Sequence, residues 1–368
     1  MRPYSTFAID DLEKLVDENT ENKSLLAEVK NELENRSRKK RQVALLEKIE
    51  QLVAASFICI ELPPVWVDHL ALEKALSAHS CEPIKQGSVI KINVPVGCNI
   101  MVSTAVQMLS LINQLLEGNC KVSINFCAGW HGTMNYLKRI NFFKHLNSNV
   151  KVTPSLRGKN LHTEYEGNNN SVVEIEKIGL VKPDKNLPTR LTQGVLNDTK
   201  LGQEDKRRLN TAVSTLFSEL TTNVCFHSKT ELPAYAVCQR YTPDNKAVVH
   251  VTVCDSGVGI LDTIRPALPI HYSNRPEYQL LTDEQLILKM FLEGVSSKGD
   301  NNGGSGLVSC AKQAMKFRAT ICIRTNDILI QLTPSGNYYV LDTQPLPNHL
   351  MHLKGTYITF QIPLDNLT

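Results

Sequence analysis

Between Leu209 and Val224 the apolar residues Leu209, Val213, Leu216, Leu220 and Val224 recur three or four apart. Only an α-helix turns that spacing onto one side. Glu219, Asn223 and His227 stand at i, i+4 and i+8 on the same helix, so they too share a face. A chain containing this helix must cover its apolar side with other elements. The polar stripe must go either to solvent or to a site.

The 368 residues suggest two or three domains. With 42% hydrophobic and 21% charged residues, there is ample material for a core. The net charge of +3 is too small to point to nucleic acid, a membrane surface or an acidic substrate. None of the ten cysteines forms a C-x-x-C pair, and several lie in strand-like apolar runs. That usage predicts buried thiols in a reducing compartment, not a disulfide framework or a zinc site. The start, MRPYSTFAIDDLEKLVDE, has no apolar stretch and turns acidic at Asp10, unlike a signal peptide. Nowhere do about 18 apolar residues run together, so no membrane span is expected. The expectation is a cytoplasmic protein.

Residues 8–55 read as helical, through Leu25, Leu26, Val29 and Leu33, then Leu45, Leu46, Ile49 and Leu52. The basic run Arg36–Arg41 between them is flanked by acidic residues and reads as a solvated face or turn. The pattern then changes. Strands are predicted over 88–94, 120–127 and 149–155, with an amphipathic helix over 100–118 that ends at a Gly suited to a C-cap. A second helix is predicted over 133–146. This alternation predicts a small α/β layer domain with mostly parallel pairing, over 56–157. Its element order, with YLKRINFF in the helix after a strand, is similar to the STAS domain, the anti-sigma-factor antagonist fold. In phosphorylated members of that family a Ser or Thr opens the helix after the central strand. The corresponding stretch here, Ala128–Thr133, has no Ser and only a late Thr, so no phospho-switch is expected. Residues 158–188, with EGNNNS and KPDKNLPTR, read as a linker.

The region 189–368 opens with the helix of Glu219. Strands are predicted over 234–241, 247–257, 319–325, 328–332 and 355–364, and helices over 283–294 and from Leu307 to about Phe317. Together they predict an α+β sandwich around one mixed sheet. Three polar clusters lie at the ends of its apolar elements. On the helix, Asn223 offers a neutral oxygen of the kind that magnesium accepts beside phosphates and water. Glu219, one turn away, is able to orient and deprotonate an attacking group. A solvated stripe fits the same pattern. Asp255 ends a strand and is followed by Gly257 and Gly259. It is placed to accept from an exocyclic amine, with glycines that let backbone approach a flat ring; a tight turn with a capping Asp is the rival reading. A dinucleotide motif fails here, because Asp262 stands where its third Gly belongs. Finally Gly303, Gly304, Ser305 and Gly306 lead into a helix at Leu307, a phosphate seat or an ordinary loop, with Lys298 near enough to reach a terminal phosphate. It is not a Walker loop, since no Gly-Lys-Ser/Thr follows.

The ordered set E-x-x-x-N-x-x-x-H, D-x-G-x-G-I, G-G-x-G-L and Gly355-Thr356 resembles the GHKL superfamily, the Bergerat ATP-binding fold. That resemblance implies ATP and Mg²⁺ as ligands, with Glu219 as general base and metal-side carboxylate and Asn223 as magnesium ligand. Asp255 would meet the adenine amine beside Gly257 and Gly259, Gly303–Gly306 and Leu307 would cover the phosphates, and Thr356 would support the adenine end. His227 matches the end of the family's N-x-x-x-H.

Residues 1–60 contain no histidine, which argues against a sensor histidine kinase. The chain stops soon after its last strand, so no transducer domain is expected in cis. What remains is nearest in character to the anti-sigma-factor serine kinases. The leading expectation is a nucleotide-gated regulatory switch that hydrolyses ATP slowly. The alternatives are a serine/threonine kinase acting on a partner and a non-catalytic nucleotide-binding scaffold. A protein partner or a homodimer is expected, without membrane or nucleic acid.

Overall fold

The computed structural model describes residues 4–20, 22–36, 40–54, 57–80, 84–158, 172–196, 201–242, 246–299, 303–342 and 350–365. The first of these form helices Ile9–Glu18, Lys23–Glu34 and Lys40–Ala54, which close on a core of Leu12, Val16, Leu26, Val29, Leu33, Leu45 and Ile49. Arg36 donates to the carbonyls of Phe7 and Tyr4 at 2.8 and 2.6 Å, and Arg41 pairs with Asp10 and Glu13 at 2.6 Å. The described ends of the basic run are therefore used inside the bundle; Ser37, Arg38 and Lys39 lie outside the described residues.

Strands Phe57–Glu61, Val89–Val94, Lys121–Phe126 and Lys151–Thr153 form a four-stranded sheet in that order, with every pairing parallel. Alternate residues Ile90, Ile92, Val94, Val122, Ile124 and Phe126 are buried. The expected second helix is broken into Thr133–Arg139 and Phe142–His145, because Asn141 takes a left-handed φ of +64°. Thr133 is buried and its hydroxyl donates to the Cys98 carbonyl, so it offers no accessible acceptor for phosphate.

The helix Val102–Glu117 differs most from its expectation. It is not one-sided: thirteen of its sixteen residues are buried, Ser103, Thr104, Gln107, Ser110 and Asn113 among them. Gly118 caps it, but the left-handed residue is the following Asn119 (φ +55°). Amides of Asn119 and Cys120 bond back to Leu116 and Leu115, each at 2.9 Å, as in a Schellman motif.

The second sheet has seven strands, in the order Tyr338–Leu341, Ile328–Ser335, Thr320–Asn326, Leu353–Pro363, Val248–Cys254, Ala234–Tyr241 and Val172–Ile178. Every pairing is antiparallel, which corrects the expected mixed sheet. The helical excursion after Cys254 does return Thr320–Asn326 in the direction of Val248–Cys254. The last strand, however, inserts between the two and runs antiparallel to both. Val172–Ile178, inside the stretch expected as linker, is an edge strand, and the helix Leu187–Leu196 begins before the expected boundary.

Both faces of this sheet are buried. Ala236, Cys238, Val249, Val251, Val253, Ile358 and Phe360 pack with the helices Gln203–His227, Asp283–Glu293 and Ser305–Met315. Tyr235, Val237, Cys254 and Tyr357 join the core built around Val102–Glu117. The order of layers is therefore helices, antiparallel sheet, central helix, parallel sheet. Among the described residues no helix is long and apolar enough to cross a membrane.

The central helix meets the antiparallel sheet through its polar stripe. Asn113 donates to the Tyr235 hydroxyl at 3.0 Å, the Tyr357 hydroxyl donates to Ser110 at 2.8 Å, and Ser110 and Ser256 share a hydrogen bond. Gln114 exchanges two hydrogen bonds with the backbone of Lys354, at 2.9 and 3.0 Å. Nearby, Glu73 of helix His69–Ser77 pairs with Arg324 of the sheet at 2.9 Å, and both side chains are almost wholly buried. Gln107 donates to the same carboxylate at 2.6 Å. Removing one member strands the other charge in the interior, whereas replacing both with apolar groups does not. Glu73→Leu is thus expected to lower stability by about 3–5 kcal/mol, and Glu73→Leu with Arg324→Met by much less. Urea unfolding of the two variants tests this; equal losses would contradict it.

Candidate functional site

Helix Gln203–His227 buries Leu209, Val213, Leu216, Leu220 and Val224, as its spacing requires. Glu219, Asn223 and His227 are left half-buried along its last two turns, and all three line one cavity of about 300 Å³. That volume is at the lower end of the range for small-molecule sites. The polar stripe is therefore not a solvated face.

The opposite wall comes from the sheet. Asp255 follows the end of strand Val248–Cys254 and is buried. Its backbone amide donates to the carbonyl of Thr356 at 3.0 Å, which ties together two of the residues on the sheet side that line the cavity. One carboxylate oxygen of Asp255 accepts the Gly257 amide at 2.7 Å. Burial pushes its pKa from the usual 3.8 up to about 6, against the lowering effect of the Gly257 and Thr356 backbone bonds.

Close backbone approach or a left-handed conformation explains three glycines here. Gly355, at φ +92°, would place a Cβ 2.0 Å from the Asp255 carbonyl oxygen. Gly259, at φ +90°, lines the cavity and opens the short helix Ile260–Ile264. Gly257 corrects its expectation. It does not line the cavity: a Cβ there would lie 2.0 Å from the carbonyl oxygen of Ser228, so the missing side chain lets the Asp255 turn pack on the C-terminus of the long helix. The Val258 amide donates to that same carbonyl at 2.9 Å.

The third wall is the glycine-rich segment. Gly294 ends helix Asp283–Glu293 in a left-handed conformation, and a Cβ on Gly304 would lie 1.7 Å from its carbonyl oxygen. The loop thus leaves and returns through two glycines in contact. The next helix begins at Ser305, two residues earlier than expected, so Gly306 lies in its first turn and not in the loop. There a Cβ would lie 2.7 Å from a Glu219 carboxylate oxygen. Lys298, Gly303, Gly304, Ser305, Gly306 and Leu307 all line the cavity; Asp300, Asn301 and Asn302 lie outside the described residues. Cys310, one helical turn further on, is buried, and burial with the nearby Glu219 charge pushes its thiol pKa up.

Sequence reasoning missed the apolar lining, including Val253, Met290, Val295 and Ile358. Period-two alternation in the strands offered a signal for Val253 and Ile358; Met290 and Val295 depend on how the loop folds back.

Glu219 and Asn223 fit a hard divalent cation. Their donors are oxygens about one helical turn apart, and neither side chain has a hydrogen-bond partner among the described residues. Among those residues no cluster of three or more His, Cys, Asp or Glu forms an all-protein cage. No protein-family model matches the chain, and no curated protein matches it.

The raised pKa of Asp255 sets a pH dependence. Its neutral form is favoured by folding, so that stabilisation is fully present below pH 3.8 and is lost as pH rises through about 6. Wild type is expected to lose about 2–3 kcal/mol relative to Asp255→Asn over that interval. Parallel urea titrations of the two proteins at pH 4 and 7 check it, and a pH-independent difference would contradict it.

Proposed function

We propose that the chain is an ATP- and Mg²⁺-binding regulatory protein of the GHKL kind that hydrolyses ATP slowly. The observation that carries this reading is the convergence on one cavity of Glu219 and Asn223, of Asp255 and Thr356, and of the Gly303–Gly306 segment. These come from the long helix, the turn after one strand, a second strand, and a loop running into the start of another helix, and their chemistry suits the successive parts of a nucleotide.

In this reading Asp255 accepts from the purine amino group, with Gly259 and Thr356 beside the ring. Its carboxylate keeps acceptor capacity after bonding Gly257, and burial makes a paired donor more valuable there than at the surface. The start of helix Ser305–Met315 aims unpaired amides and a positive dipole end at the cavity, the arrangement that favours phosphate. Asn223 and Glu219 would hold Mg²⁺, which neutralises charge on the phosphates and aligns them. In this reading Glu219 also takes the proton of an attacking water, while the walls of the cavity restrict competing water. The parallel-sheet unit, read as STAS-like, braces the sheet from behind.

Calorimetry with ATP and magnesium tests the assignment. Asp255→Asn is expected to weaken ATP binding about 10- to 100-fold, the value of a hydrogen bond to a charged group. Unchanged affinity would put the purine elsewhere. Glu219→Gln is expected to retain ATP and to lower ADP release about 10²- to 10⁴-fold, read by single-turnover assay. If ATP binds but Glu219→Gln changes nothing, the protein is a scaffold and not an ATPase.

A further inference from the structure

Lys298 is the only lysine or arginine among the described residues that line the cavity, where Glu219 and Asp255 supply two carboxylates. His227 does not add a second cation near neutral pH: burial, followed by the charges of Lys298 and Lys229, holds its imidazole below the ordinary value. The one cation facing the phosphate end is thus a flexible side chain on an exposed loop position.

Its backbone is fixed. The Ser296 hydroxyl accepts from the Lys298 amide at 3.3 Å and donates to the Gly299 carbonyl at 3.3 Å. The amide of Ser296 donates to the hydroxyl of the fully buried Tyr272 at 2.9 Å. Gly299, at φ +77°, rests against His271, where a Cβ would meet the imidazole side chain at 3.3 Å. The ammonium is placed by a different element: it lies 5.2 Å from the ring centroid of Phe226, on the long helix directly before His227. Phe226 is 61% exposed, and no core packing accounts for an aromatic ring at that position. A lysine held over an aromatic face keeps its charge available while losing rotamer freedom before a ligand arrives.

We propose that Phe226 is a positioning residue that holds the Lys298 ammonium at the mouth of the cavity for the terminal phosphate of a nucleoside triphosphate. This rests on the ATP reading above. The ring belongs to the helix of Glu219 and Asn223, so the lysine is indexed to the metal side of the site and not only to its own loop. A contact aimed at the terminal phosphate favours the triphosphate over the diphosphate.

Calorimetry with MgATP and MgADP, on the full chain and on Phe226→Leu, Phe226→Trp, Lys298→Met and Phe226→Leu/Lys298→Met, tests this. Phe226→Leu is expected to weaken MgATP about two- to five-fold and MgADP less, Phe226→Trp to restore the affinity, and the Phe226 effect to vanish in the Lys298→Met background. A nucleotide-free readout accompanies it: the His227 imidazole titration by NMR should move upward in Lys298→Met, and upward by less in Phe226→Leu, as the lysine charge leaves. Wild-type binding with a silent Phe226→Leu, or a Phe226 effect that persists without Lys298, overturns the proposal. Absence of ATP binding to wild type overturns the ATP reading, and the proposal built on it, whereas the imidazole titration separately shows whether Phe226 places the lysine.

Discussion

The arrangement of the site depends on a helix that is buried from both sides. Val102–Glu117 presents apolar residues to the parallel sheet and a polar stripe to the antiparallel one, where Ser110 meets Ser256 and Tyr357. Ser256 stands between Asp255 and Gly257, and Tyr357 follows Thr356. The residues that hold the sheet wall of the cavity are therefore neighbours, in the chain, of residues fastened to the central helix. Buried polar pairs of this kind fix register more than they add stability, because each unmade bond would leave a desolvated donor or acceptor.

Backbone contact supplies the second constraint. Three places around the cavity bring chain against chain at distances no side chain permits: Gly355 on Asp255, Gly257 on Ser228 and Gly304 on Gly294. They tie the last strand to the Asp255 turn within the sheet wall, the Asp255 turn to the long helix, and the glycine-rich loop to its own origin. With these contacts fixed, Glu219, Asn223, Asp255 and Thr356 have little freedom to separate. A site built this way is preorganised by its frame, and its ligand does not have to organise it.

Much of this was legible in the residues because the strongest signals are local. The stripe of Glu219, Asn223 and His227 and the apolar face beside it follow from helical periodicity alone, and Asp255 at a strand end followed by glycines follows from turn chemistry. What stayed hidden depends on contacts between distant segments. Ser103, Gln107, Ser110 and Asn113 have the spacing of a solvated face, and only the sheet lying over them makes them an interface. The parallel pairing implied by the excursion from Cys254 to Thr320 is removed by insertion of the last strand, which no local pattern announces. Val172–Ile178 carries apolar alternation, but its polar and proline-bearing flanks read as linker until a partner strand is in place. Gly257 packs on Ser228, a contact that closeness in sequence to Asp255 does not announce.

The charges favour reading these elements as one site over a polar cleft left by packing. Glu219 and Asp255 line one cavity of about 300 Å³, and burial drives the pKa of Asp255 upward. An arrangement selected for stability alone would neutralise them internally, as Glu73 is neutralised by Arg324 in the neighbouring interface. Instead Asp255 takes only backbone amides, Glu219 has no hydrogen-bond or ion-pair partner among the described residues, and Lys298, the one lysine or arginine among the described lining residues, has its ammonium 5.2 Å from the Phe226 ring centroid. Unmet charge and unpaired oxygen in one cavity are costs to the empty fold, and the proposed nucleotide and divalent cation would relieve both, with an amine near Asp255 and the cation near Glu219.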